Sequence, residues 1–139
     1  MKETEKKELI SAALSALKNA YAPYSKFKVA AAVLTGSGKL FTGVNVENAS
    51  YPAGICAERN AISHAVSEGE TELSAIAIVG GAGGKVESYC APCGICRQVM
   101  REFADPAELT VIVAVSEDDY REYTLEELLP ESFGPEFLI

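Results

Sequence analysis

Two short cysteine-bearing stretches, Cys56-Ala57-Glu58 and Pro92-Cys93-Gly94-Ile95-Cys96, constrain any fold this chain can adopt, because their side chains suit a single shared centre. Three thiolates can hold one zinc ion and leave its fourth position to water or substrate, whereas a structural zinc is closed by four protein ligands. Glu58, a carboxylate beside such a centre, is suited to moving protons. The pattern therefore points to a catalytic zinc.

Helix side chains lean toward the N-terminus, so residues of a first turn reach over the helix end. Cys56 and Glu58 are expected in one such turn. Cys93 and Cys96, three residues apart, share a face of a second helix, whose start Pro92 suits. Two helix N-termini then converge, and their partial positive charge offsets part of the excess negative charge that three thiolates place around a dication. Arg59 adds a full positive charge behind the ligands. Cys90 leaves an alternative open, since Cys90-x-x-Cys93 and Cys93-x-x-Cys96 are both acceptable zinc spacings. We expect Cys90 to be a buried or strand-end thiol, because it precedes the Pro92 that starts the helix. With all four cysteines bound, the chain would instead be a non-catalytic zinc module. His64, the only histidine, falls on a helix face and offers no support for serine–histidine–acid catalysis.

With 139 residues, 48% of them apolar, the chain has the size of one domain, expected to span 1–139, with a core that needs no disulfides. Bunched cysteines, a charged Met1-Lys2-Glu3 start and the lack of a long apolar run are read as a protein of a reducing cytoplasm with no membrane segment. A net charge of −8 weighs against nucleic acid as a partner, because affinity for phosphates comes from lysine and arginine. A small uncharged substrate is the expectation.

Leu9, Ile10, Ala13, Leu14 and Leu17 recur at helical spacing over about 5–20. Residues 27–34 and 40–46, separated by Gly36-Ser37-Gly38, form a hairpin pattern. The apolar runs 75–79 and 109–115 have the character of strands covered on both faces, each preceded by a helical stretch, about 56–68 and 93–103. Residues 120–123 add a short edge strand, and 124–129 a short helix stopped by Pro130. This order implies one mixed sheet flanked by helices. Gly80-Gly81-Ala82-Gly83-Gly84 lacks the helix, lysine and serine or threonine of a phosphate cradle, and is expected to be a flexible loop.

Taken together, Phe27-Lys28-Val29, Asn45-Val46-Glu47-Asn48-Ala49-Ser50-Tyr51, Cys56-Ala57-Glu58-Arg59, Pro92-Cys93-Gly94-Ile95-Cys96-Arg97-Gln98 and Ser132-Phe133-Gly134-Pro135 resemble the zinc-dependent cytidine deaminase family, in its short homotetrameric branch. The resemblance implies a three-layer α/β/α fold with a mixed five-stranded sheet. It implies one zinc per subunit on Cys56, Cys93 and Cys96, Glu58 as proton shuttle, and Arg59 tempering the thiolate charge. It also implies that Asn45 and Glu47 bind the ribose 3′-hydroxyl, that Phe27 contacts the nucleoside, that Tyr51 stands at a shared interface, and that Phe133 comes from a neighbouring subunit. The activity implied is hydrolytic deamination of cytidine and 2′-deoxycytidine in pyrimidine salvage. The rival within the family is a deaminase of a nucleoside antibiotic such as blasticidin S, against which the Asn-x-Glu pair speaks. Two departures stand out: Ala91 replaces a frequent serine, and Cys90 is an extra thiol.

Overall fold

A computed structural model describes residues 1–139. Its first helix, α1 (Glu3–Ala16), runs on into a 3-10 turn at Leu17–Asn19. The Glu5 carboxylate accepts the Lys2 backbone N–H at 3.0 Å and so satisfies one donor that the helix start would leave bare. Strands β1 (Phe27–Thr35) and β2 (Leu40–Val44) form the hairpin, followed by α2 (Ala57–Ser67), β3 (Leu73–Ala82), α3 (Gly94–Glu102), β4 (Thr110–Ala114), β5 (Tyr120–Thr124) and the one-turn α4 (Leu125–Leu128). The strands make one sheet in the order β2-β1-β3-β4-β5. Only β3 and β4 are parallel. A parallel pair needs a long crossover, and α3 supplies it.

Side-chain alternation along the strands divides the interior into two cores. Ala31, Val33, Ile76, Ile78 and Val111 face one way and pack with Ala61, Ile62 and Ala65 of α2 and Met100 of α3. Ala30, Ala32, Ala75, Ala77 and Ile112 face the other way and pack with Leu9, Ile10 and Ala13 of α1. The result is the three-layer α/β/α arrangement with a mixed five-stranded sheet. No helix is long and apolar enough to cross a membrane.

One difference from the sequence reading affects the site. Gly80 and Gly81 continue β3 instead of opening a loop, and only Gly83 and Gly84 turn, with φ of 64° and 83°. Their lack of side chains permits close approach: a Cβ on Gly81 would collide with the Lys85 carbonyl, and one on Gly80 would stand 3.1 Å from the Cys90 sulfur. Gly43 does the same for the hairpin, since a Cβ there would fall on the Ala61 amide nitrogen and 2.8 Å from the Ala57 carbonyl oxygen. Helix α2 thus rests directly on the backbone of β2.

Strand direction gathers the start of β1, the end of β2 and the end of β3 at one edge of the layers, as the pairs Phe27↔Ala82 and Ala30↔Val44 record. The segments that continue from that edge carry every cysteine. Open sheets of this kind bind ligands beyond the carboxyl ends of their strands.

Candidate metal centre and cavity

Cys56 and Cys93 occupy equivalent positions, each the N-cap of its helix in extended conformation, with Glu58 in the first turn of α2 and Cys96 in that of α3. Pro92 therefore lies just before the cap instead of inside the helix. The sulfur atoms of Cys56, Cys93 and Cys96 all lie within 4.8 Å of one another, and none is in a disulfide. This is the only group of three or more cysteine, histidine or acidic side chains positioned to share an ion. A soft all-thiol donor set of three matches zinc with one position free, so the residues present fit the metal.

Burial and helix ends shape the protonation of these groups. The Cys93 thiol lies below its ordinary range, first because the Cys96 backbone N–H points at it and then through Ile95 and the neighbouring cysteines. Burial pushes Cys96 up. Glu58, 5% exposed, is raised above the usual carboxylate range by desolvation, only partly offset by hydrogen bonds from its own backbone N–H and from Cys96 and by the Arg59 charge. A buried carboxyl that readily holds a proton is what a shuttle requires. Arg59 donates to the Cys56 sulfur at 3.5 Å, and its Nε is buried without a partner.

Cys90 lies outside the sulfur trio but lines the same cavity as Glu58, Cys56 and Cys93. Burial first, then the charges of Glu58 and Cys56, push its thiol up to about 11. It is thus a half-buried thiol in the connection between β3 and α3, eight residues beyond the end of the strand, and not a strand-end residue. A direct check is metal content: Cys93→Ala should lose zinc and Cys90→Ala should retain about one equivalent. Loss of metal from the Cys90 variant would reassign the ligands.

The cavity, about 650 Å³, has a volume suited to a small molecule. Asn45, Glu47 and Tyr51 line it, as do Arg59 and Glu58. Asn45 also braces β1, because its Oδ1 accepts the Val29 N–H at 2.9 Å while its Nδ2 donates to the Phe27 carbonyl at 2.8 Å. One amide hydrogen and one oxygen lone pair remain free for a ligand. At the cavity's edge Tyr24 and Tyr51 meet edge to face, with centroids 6.4 Å apart.

Phe27 and Phe133 do not line the cavity. Phe27 is 41% exposed, and Phe133 is 55% exposed and stacked on Phe137 at 5.1 Å. The C-terminal arm bearing Phe133 is clasped to α3. Gln98 donates to the Phe133 carbonyl at 2.8 Å, and Arg101 donates to the Ser132 hydroxyl at 2.8 Å and to the Glu136 carboxylate. The cavity residues Tyr24 and Ser25 belong to no motif singled out in the sequence. His64 is exposed, its Nδ1 3.2 Å from the Thr42 carbonyl, away from the cavity.

A family model described as the cytidine and deoxycytidylate deaminase zinc-binding region matches residues 3–114. The cytidine deaminase of Halalkalibacterium halodurans is 43% identical over 132 residues, 95% of this chain and 96% of that protein. A probable cytidine deaminase of Dictyostelium discoideum is 40% identical over 139 residues, all of this chain and 90% of that one. Among solved structures, cytidine deaminase from Burkholderia pseudomallei superposes with a TM-score of 0.81 at 46% identity, covering 91% of this chain and 97% of that one. Cytidine deaminase from Mycobacterium tuberculosis does so with a TM-score of 0.78 at 41% identity, covering 91% and 95%.

Proposed function

The chain belongs to the cytidine and deoxycytidylate deaminase family, and from that premise we infer that it catalyses the hydrolytic deamination of cytidine and 2′-deoxycytidine. Water replaces the 4-amino group, giving uridine or 2′-deoxyuridine and ammonia. The observation that carries this reading is the buried Glu58 carboxyl in one cavity with Cys56 and Cys93.

Cys56, Cys93 and Cys96 would hold one zinc ion. When bound, zinc acts as a Lewis acid that makes water acidic enough to supply a nucleophile near neutral pH. Glu58 takes a proton from the attacking water, places it on ring nitrogen N3, and then helps protonate the departing amine at C4. Its burial raises its proton affinity above that of a free carboxylate, which suits a group that holds the proton between the two transfers. Arg59 offsets thiolate charge through its contact with Cys56.

Asn45 and Glu47 take the ribose 3′-hydroxyl as donor and acceptor, a role supported by their place in the cavity wall. Tyr51 borders the nucleoside, and Phe27 flanks it beside the loop that carries Ser25. Phe133, presented outward on its clasped arm, packs on the pyrimidine in a neighbouring copy's cavity. The assembly is a homotetramer with shared sites, each copy one domain acting in the cytoplasm. The acidic chain takes a free nucleoside in preference to a nucleic acid.

Incubating the purified, zinc-loaded protein with cytidine, 2′-deoxycytidine, cytosine and blasticidin S, with ultraviolet absorbance and ammonia release as readouts, tests the assignment. Turnover of the two nucleosides is expected. Inactivity on both, with zinc bound, would overturn it, and turnover of blasticidin S alone would move the chain to the antibiotic branch.

A further inference from the structure

Glu47 does not face the cavity as a free carboxylate. Its Oε1 accepts the backbone N–H groups of Tyr24 at 3.0 Å and Ser25 at 3.1 Å, and its Oε2 accepts the Ser25 hydroxyl. A carboxylate offers about four lone-pair sites, two on each oxygen. Oε1 is thus filled, and Oε2 retains a single site. Ser25 Oγ decides where that site points.

The serine is itself fixed. Its Oγ accepts the Phe27 N–H at 3.0 Å, across a turn in which Lys26 adopts a left-handed φ of 62°. A non-glycine residue there carries strain and persists where its surroundings hold it. They do so here: Lys26 N–H donates to the Ala22 carbonyl at 3.0 Å, Gly83 N–H donates to the Lys26 carbonyl at 2.7 Å, and Tyr21 and Glu47 are joined at 2.9 Å through backbone. Ser25 and Glu47 both line the cavity.

We propose that Ser25 is a positioning residue for sugar recognition: it turns Glu47 so that the one remaining lone-pair site of Oε2 receives the sugar 3′-hydroxyl. This rests on the reading of Glu47 as the acceptor of that hydroxyl. Ser25 acts through Glu47, so its contribution exists only for substrates that carry the hydroxyl.

Steady-state kinetics of Ser25→Ala, Ser25→Thr and Glu47→Ala on 2′-deoxycytidine and on 2′,3′-dideoxycytidine test it. Ser25→Ala should raise KM for 2′-deoxycytidine roughly 5- to 20-fold, the scale of one hydrogen bond to a charged group partly compensated by the two remaining N–H donors. Its kcat should stay within about twofold, its KM for the dideoxy substrate should not change, and Ser25→Thr, which keeps the hydroxyl, should restore binding. If Glu47→Ala fails to discriminate between the two substrates, the role of Glu47 itself falls. If Glu47→Ala discriminates while Ser25→Ala weakens both substrates equally or neither, the positioning role of Ser25 falls and that of Glu47 stands.

Discussion

Glu58→Gln should retain its zinc and its melting temperature while losing roughly 10²- to 10⁴-fold in kcat, the range that a positioned general acid–base contributes. Glutamine has the same size and fills the same buried place in the first turn of α2. What it cannot do is accept a proton from water and release it to the ring. The distinction matters because Glu58 borders the sulfurs: its loss by a larger change would confuse missing chemistry with a damaged metal site. Zinc content measured on the same preparation separates the two. A zinc-loaded Glu58→Gln protein with wild-type turnover would remove the shuttle role.

The second large effect is steric and involves no change in a titratable group. Gly43→Ala should lower stability by about 1–3 kcal/mol, the usual cost of overpacking a close-packed interior. At this chain length the loss corresponds to a fall in Tm of roughly 3–10 °C. The atoms in the way are backbone, the Ala61 nitrogen and the Ala57 carbonyl, which cannot rotate aside as a side chain would. Helix α2 must therefore lift, and with it Cys56 at its cap and Glu58 in its first turn, so activity should fall along with stability. Gly36→Ala is the control, because its added Cβ would meet only ordinary contacts with Glu72, at 3.5 Å and beyond. A Gly43→Ala protein that melts with the wild type would show that α2 does not rest on this strand.

The sequence made the metal centre legible because its information is local. A cap residue and one first-turn residue on each of two helices suffice to define it, and their spacing can be read without knowing how the helices meet. The same spacing could not choose between Cys90 and Cys96 as partner to Cys93. The structure separates them because the chain becomes helical only at Gly94, which leaves Cys90 outside the trio. β-rich and apolar runs mark the strands, yet the same reading makes a loop of Gly80 and Gly81, which the fold keeps in β3. Glycine marks both freedom and close approach, and only the position of Lys85 and Cys90 in space tells which applies. Asn45 and Glu47 are legible through the family resemblance, with which their spacing of two agrees. Their second employment is not, since it depends on partners at Phe27, Val29, Tyr24 and Ser25 that no local pattern announces.

The placing of Cys56 on one side of β3 in the sequence and of Cys93 and Cys96 on the other also has a consequence for metal retention. The sulfurs meet in a fold in which β3 pairs with β1, from which β2 and α2 separate it in the chain, and pairs in parallel with β4 across α3. Bringing the three sulfurs together therefore depends on contacts between segments far apart in the chain, not on either cysteine stretch alone. Anything that opens the β3–β4 pairing should thus separate the thiols that the folded sheet holds within 4.8 Å, which couples metal retention to the integrity of the sheet.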